Sequence, residues 1–454
     1  MSYILLVISN FAAKVVKNLH ISKKSSNFAT TLNNFEQFRP MKRIISLAIC
    51  LSLAFCLSPF ALSPLHACTS FIISGKATPS GKPLMFKHRD TGELNNRIAH
   101  FQGDKYAFIG LMNSPTLDGE VWSGMNEVGF CIMNTASYNL REDTLNCQMD
   151  REGEFMYHAL ANCANIADFE AWIETYPKPW GVEANFGIID AQGGAAYYEM
   201  NNDRYIKYDV NAEETGYRVV TNFSFAGRYE DYEGWERYQT ACAEMKENFS
   251  RTKEMTAIDA MNIFSRQYRH EVLDLNFNKD NAPEFTVDQD FIPRRITSAV
   301  VCFEGVKAGD KPLHTIMWTA LGYPACAVAV PLLMHRDHLP AYMKARNENA
   351  KEGKGLNAEI CDKSLQIKNE WAFPLHISNG KKYVSTQNIL RGAEGKPALL
   401  DCTREVEEKI LKDFMPLYEQ WTEGALSDQV FFKWYDQAAK QWIKKYDATF
   451  APYL

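Results

Sequence analysis

The stretch Ala67-Cys68-Thr69-Ser70-Phe71-Ile72-Ile73 decides how the chain is read. Upstream of it, Met41-Lys42-Arg43 is basic and Ile44 to Leu57 is apolar without a charge. Ser58, Pro59, Ser63 and Pro64 break that run, and Ala67 closes it with a small residue. This is the layout of a secretory leader, and its apolar core falls short of the roughly 20 residues a bilayer span needs. Cleavage after Ala67 makes Cys68 the first residue of an exported chain, periplasmic or extracellular. One residue then carries a thiol and a free α-amine that can serve as its base. Downstream, Thr69, Phe71 and Ile73 alternate directly into a strand, with a turn at Ser74-Gly75. Leu65-His66-Ala67-Cys68 also admits a lipobox reading, in which Cys68 is acylated and the chain is a membrane-anchored binding module. His66 stands where a small residue is usual, and a strand begins where a polar tether is needed, so the nucleophile reading is preferred.

Working outward, Met1 to Pro40 reads as an upstream extension, residues 41–67 as the leader, and 68–454 as one domain. Whole-chain net charge is −6; removing residues 1–67 takes away seven Lys or Arg and one acid, leaving −12. That balance argues against nucleic acid or an anionic membrane face as partner and leaves the substrate open. Of eleven cysteines, Cys50 and Cys56 leave with the leader. The nine that remain are widely spaced, with no C-x-x-C and no zinc pattern, and no cofactor or metal is expected. Cys131 and Cys326 read as small core residues.

After the first strand, Pro79-Ser80-Gly81-Lys82 is a hairpin turn, and Leu84, Phe86 and His88 alternate behind it. Gly75 to Lys82 fails the phosphate-loop pattern, since five residues separate its glycines and Pro83 follows the lysine. The returning strand ends in Lys87-His88-Arg89-Asp90, brought alongside the thiol. A carboxylate there can hold an α-ammonium, and a cation can stabilise a thiolate. Further on, Asn126-Glu127-Val128-Gly129 is a tight turn. Val128, Phe130 and Ile132 alternate after it, with Asn134 expected on the same, inward face. Phe186 to Ile189 and Ala195 to Tyr198 form a hairpin turning through Asp190 to Gly194, and Tyr217 to Phe223 is a strand ending in Thr221-Asn222.

These blocks together resemble the N-terminal nucleophile hydrolases. The opening Cys-Thr-Ser-Phe, Gly-Lys-Ala and terminal Asp90, the segment Trp122 to Asn134, and Thr221-Asn222 are most similar to the penicillin acyltransferase-like and choloylglycine hydrolase groups. A group of cysteine dipeptidases stands further off. The resemblance runs from Cys68 to about Asn222 and fades towards Pro331. It implies an α+β, four-layer αββα sandwich and cleavage of a linear or cyclic amide through a thioester on Cys68. The expected partner is a small-molecule amide, with hydrolysis and acyl transfer both open and a homo-oligomer allowed. It further implies roles for Asp90 in holding the α-ammonium, for Asn134 and Asn222 as oxyanion donors, and for a cation near the thiol. Where the choloylglycine branch has an arginine three residues before the aspartate, this chain has Lys87, with Arg89 beside Asp90. Either can take the cationic role. Within Ile292 to Ser298, Arg295 is matched to a further substrate-binding arginine of the family.

The remaining layout reads as helices at Gly153 to Cys163, Ala167 to Tyr176, Tyr229 to Phe249 and Met255 to Tyr268, then a plain loop from Asp274 to Asp290. Strands return at Ser298 to Phe303, Thr315 to Thr319 and Cys326 to Val330. A helical C-terminal extension follows, at Leu333 to Asn349, Thr403 to Trp421 (kinked by Pro416) and Ser427 to Tyr446, the last capped by Ser427. A papain-like Cys–His pair is the other hydrolytic option. No histidine motif supports it: His88, His158, His314 and His335 read as packing or surface residues, and His335 and His338 beside Asp337 make an isolated pair.

Overall fold

The computed structural model describes residues 67–140, 147–279, 282–288, 290–392 and 395–454; the upstream extension and all of the leader except Ala67 lie outside them. The first strand, β1 (Thr69–Ile73), begins one residue after Cys68 and is buried along its whole length. It pairs antiparallel with β2 (Leu84–Asp90), placing Thr69 opposite His88 and Phe71 opposite Phe86. Alternation then assigns the faces. Ser70 points to a second sheet, its Oγ 2.8 Å from Thr135 Oγ1 and 2.9 Å from Tyr197 OH. Phe71 points to a helix, its ring 4.6 Å from that of Phe264.

The second sheet is an antiparallel meander in chain order, formed by β3 (Asn96–Gln102), β4 (Ala107–Asn113), β5 (Ser123–Asn126), β6 (Cys131–Ala136), β7 (Ala184–Ile189), β8 (Ala195–Met200) and β9 (Tyr205–Asp209). Gly129, at φ 79°, makes the β5–β6 turn that only a residue without Cβ adopts freely. The first sheet runs β10-β1-β2-β11-β12-β13, with β10 (Tyr217–Val220), β11 (Thr297–Glu304), β12 (Ile316–Leu321) and β13 (Val330–Leu333). Helices α1 (Glu152–Asn162) and α2 (Ile166–Thr175) cover the outer face of the meander, where Phe155, Leu160 and Phe169 join Phe130, Ile132 and Phe186 in one core. Helices α3 (Trp235–Thr252) and α4 (Ala257–Ser265) cover the other sheet. The result is an αββα sandwich.

Beyond it lie α5 (Glu359–Ile367), α6 (Leu399–Thr422) and α7 (Asp428–Phe450). The last two lie against the strands at the far side of the first sheet: Phe414 meets Trp318 at 5.7 Å, and Tyr435 OH donates to the Pro331 carbonyl at 2.6 Å. Among the described residues no helix is long and apolar enough to cross a membrane. A buried bidentate pair ties α4 to α6, Arg266 Nη1 and Nη2 reaching Glu407 at 2.7 and 2.6 Å, and Glu407 also accepts from the Ala329 N–H. Removing one partner strands the other charge in the core. Glu407→Ala is expected to lose about 3–5 kcal/mol of stability, read as a fall in the urea midpoint at constant m-value.

Three local expectations are revised. Leu333 to Asn349 is not a helix: β13 ends at Leu333 and is followed by short 3₁₀ turns at Arg336–His338 and Ala341–Met343. Pro340 disfavours helical backbone at Leu339, and Leu339, Tyr342 and Met343 are buried from turns instead. The strand expected at Cys326 begins only at Val330. Part of the 274–290 loop is ordered into short ladders, with Leu275–Asn276 on Arg269–His270 and Phe285–Val287 on Tyr383–Ser385.

Candidate active site

Cys68 sits at the head of β1, 5% exposed, with its thiol on the inner face and its Sγ 4.0 Å from the Asp90 carbonyl oxygen. All nine described cysteines are free. The peptide bond that precedes Cys68 is the most heavily gripped backbone in the region. The Ala67 carbonyl accepts from Arg294 Nη2 at 2.9 Å and from Arg237 Nη1 at 3.4 Å. Arg237 Nη1 also donates to the Cys68 carbonyl at 2.7 Å and to Thr69 Oγ1 at 3.1 Å. Burial, then the neighbouring Arg294, pulls the Arg237 guanidinium down to about 10. Arg237 occupies the first turn of α3, and its place depends on Gly234. That residue precedes the helix at φ 78°, and a Cβ there would collide with the guanidinium.

Asp90 lies directly behind this junction and is wholly buried. Its Oδ2 accepts from Arg294 Nη2 at 2.7 Å and Nε at 3.1 Å; its Oδ1 accepts from Thr297 Oγ1 at 2.7 Å and lies 3.1 Å from His88 Nε2. Burial alone would raise its pKa, but Arg294, then His88, outweigh that and hold the carboxyl near 2. In turn Asp90 raises Arg294 against the pull of burial. Arg294 therefore bridges the Asp90 carboxylate and the Ala67 carbonyl.

On the inner face, Lys87 is fully buried and crosses to the meander. Its Nζ donates to the Trp122 carbonyl at 2.6 Å and to Asn134 Oδ1 at 2.7 Å. Burial lowers it to about 7, with Cys68 opposing the shift and Arg89 adding to it. Asn134 shares strand parity with Phe130 and Ile132, which pack under α1 and α2 rather than between the sheets. Lys87 reaches it at the end of the β5–β6 ladder, which stops at Ser123 opposite Met133. The Asn134 amide nitrogen has no acceptor among the described residues. Glu152, in the first turn of α1, is pushed up to about 7 by burial and contributes to the field at Lys87.

The other sequence candidates are placed differently. Arg89 shares the inner face with Lys87 and also feels the Cys68 thiol, and its guanidinium is bound to Asn96 Oδ1 at 2.6 Å, Asn113 Oδ1 at 2.9 Å and Ser298 Oγ at 3.2 Å, over the Trp122 ring. Of the two candidate cations, Lys87 is the one tied to Asn134. Asn222 is fully buried, with its oxygen accepting from Arg237 at 2.9 Å and its Nδ2 donating to the Ala136 carbonyl at 2.8 Å. The β1–β10 register, with Ser70 opposite Val220, continues to place Asn222 opposite Cys68, where it holds Arg237 and the β6 end. The arginine at the site is Arg294, not Arg295: Arg295 turns outward to the Lys381 carbonyl at 2.9 Å and stacks over Phe373. The two arginines stand in the turn before Thr297, where the Thr297 N–H reaches the Arg294 carbonyl at 2.9 Å. His88 is not mere packing, because its ring is clamped between Ser265 Oγ at 2.9 Å and Thr297 Oγ1 at 3.0 Å, behind Asp90 and on the face away from the thiol. Arg237 was missed altogether. Its signal is an arginine on the stripe that continues through Ala241 and Met245, the buried side of α3.

The two sheets and their helix pairs form an αββα sandwich with Cys68 at the head of β1. No family model matches the chain, and no curated protein matches it. Among solved structures it is similar to an N-acylethanolamine-hydrolyzing acid amidase ortholog of Caenorhabditis elegans (14% identity, 52% of this chain and 92% of that one, TM-score 0.36). It is also similar to a variant of the conjugated bile acid hydrolase of Clostridium perfringens (13%, 56% and 89%, 0.33). A third is penicillin V acylase from Agrobacterium tumefaciens (12%, 59% and 86%, 0.34). Likeness at this level bears on neither reaction nor substrate.

Proposed function

We propose that the chain is an exported amidohydrolase or acyltransferase whose nucleophile is the thiol of an N-terminal Cys68. The observation that carries the reading is the Ala67–Cys68 junction: a carbonyl gripped by two guanidinium groups, joined to the residue that bears the thiol. In self-processing, Sγ attacks the Ala67 carbonyl carbon, and the two arginines stabilise the oxygen that becomes negative. The C–N bond breaks as the nitrogen gains a proton, giving a thioester. Water hydrolyses that to the leader carboxylate, the free thiol and the free α-amine. Signal peptidase would expose the same terminus.

In turnover the α-amine, ordinarily near 7.7–8.0, accepts the thiol proton and Sγ attacks the substrate amide carbonyl. The oxyanion accepts from the Asn134 amide, whose oxygen is fixed by Lys87. The ammonium, oriented by the Asp90 carboxylate that Arg294 holds in place, gives its proton to the departing amine. Water or a second amine then releases the acyl group, regenerating the thiol. Burial of Cys68 and a strand starting at Thr69 leave no room for a tether, which speaks for this reading over an acylated anchor. The test is an acid-quenched incubation with a panel of small amides. An acyl adduct on the peptide that begins at Cys68 is expected, and turnover with an adduct on any other residue overturns the proposal.

Lys87 gives a pH signature. It is charged below about 7 and neutral above. If its ammonium holds Asn134 and the thiolate, activity falls as pH rises through that value. Lys87→Arg, which stays charged, is expected to move the alkaline limb upward by a unit or more on the pH scale. Lys87→Met should lower kcat by about 10²–10³ below pH 7, with the gap narrowing above it as the parent lysine loses its charge. The check is kcat against pH for the three proteins.

A further inference from the structure

We propose that the open edge of β3 is a docking strand for an extended acidic peptide. Strand β3 ends the meander and, among the described residues, pairs only with β4. Five consecutive residues, Arg97 to Phe101, line one groove of about 550 Å³. Successive side chains of a strand point to opposite faces, so what five in a row share with a single groove is the strand's edge. The direction of the backbone groups follows from two contacts. The Asn95 carbonyl accepts from the Ser114 N–H at 2.8 Å, towards β4, whereas the Asn96 N–H points the other way, to Cys361 Sγ at 3.4 Å. In an antiparallel ladder the alternation continues. Ile98 and His100 therefore turn their N–H and C=O groups into the groove, and they have no backbone partner there among the described residues. An unpaired edge of this kind is a template for an added strand.

Charge selects the occupant. Arg336 and Lys351 line the opposite wall, exposed and without a hydrogen bond or ion pair among the described residues. Arg97 is 7% exposed; its Nη2 donates to the Thr116 carbonyl at 2.8 Å, and its Nε is buried without a partner. Lys344 is neutralised by Glu348 at 2.9 Å, and Asp337 is the other acid of the lining. The groove is thus net positive on a protein whose net charge is negative. A basic segment such as the chain's own leader is disfavoured there, and two copies paired edge to edge would oppose like charges. An extended chain with acidic side chains satisfies both the open ladder and the cations.

The test uses the processed full-length protein and fluorescence anisotropy with labelled peptides of about eight residues, near the length of a strand. One peptide alternates Glu and Val, a second alternates Lys and Val, and a third is the Glu–Val peptide N-methylated at alternate residues. The Glu–Val peptide is expected to bind, to weaken with added salt, and to lose affinity about tenfold or more with Arg336→Glu plus Lys351→Glu. These two residues are exposed, and an unchanged melting curve confirms the variant's fold. N-methylation should abolish binding and the Lys–Val peptide should not bind. The proposal is overturned if the Glu–Val peptide fails to bind at millimolar concentration. It is equally overturned if the Lys–Val peptide binds as well, if N-methylation leaves binding intact, or if the double variant binds as tightly as the parent.

Discussion

Cys68→Ala is expected to lower amide turnover by about 10⁴-fold or more, to background. The thiol is the sole attacking atom in the proposed cycle, and nothing nearby replaces it. Arg89 is tied to Asn96 and Asn113, Lys87 to Asn134, and His88 lies on the opposite face of β2. Cys68→Ser keeps a nucleophile of similar size but of far higher pKa and is expected to retain a trace at most. A merely structural role for Cys68 predicts something else. Removing a small buried sulfur would cost stability, while activity per folded molecule would stay within a few-fold. Measuring kcat/KM beside thermal melting separates the two, and turnover by Cys68→Ala above about a hundredth of the parent rate would contradict the assignment.

Arg294→Met is expected to be the most damaging change outside the nucleophile. The guanidinium is the strongest counter-ion to a carboxylate that has no solvent contact, and its loss leaves that charge with Thr297, His88 and the weaker field of Arg237. A loss of about 3–5 kcal/mol is expected at neutral pH. The pH dependence has a definite sign. In the parent protein, Asp90 has a depressed pKa of about 2 against 3.8. It contributes roughly 2 kcal/mol that is present above pH 4 and disappears as pH falls through 2. In Arg294→Met, burial dominates, the carboxyl pKa rises, and protonation relieves the defect. The gap between variant and parent should therefore narrow on acidification. The same variant loses one of the two donors to the Ala67 carbonyl and should accumulate unprocessed precursor when processing is autocatalytic. Urea unfolding at neutral and acidic pH checks the first part. A variant within about 1 kcal/mol of the parent at neutral pH would refute the bridge.

Much of the fold was legible because the sequence alternates cleanly where strands are half or fully buried. Thr69 to Ile73, Leu84 to His88 and the Phe186–Tyr198 hairpin each lie in observed strands, and the helix pairs at 152–175 and 235–265 follow apolar periodicity. Leu333 to Asn349 misled because its apolar residues imitate helical spacing while Pro340 and the end of β13 impose turns. The site was legible only in part, for the same physical reason. Cys68, Lys87, Asp90 and Asn134 stand on strands whose register local sequence announces. Arg237 and Arg294 arrive from a helix turn and a loop more than a hundred residues away, and only tertiary packing shows where such side chains reach. Asn222 illustrates the converse: its strand was found, but its amide is engaged by Arg237 and Ala136.

The central claim is that one residue, freed by loss of its leader, is both attacker and proton acceptor. Intact mass and N-terminal sequencing of the protein recovered from an exporting host test it most directly. The account predicts a single species that begins at Cys68 with an unmodified thiol and α-amine. A terminus at any other residue, or a lipid on the sulfur or nitrogen of Cys68, would contradict it.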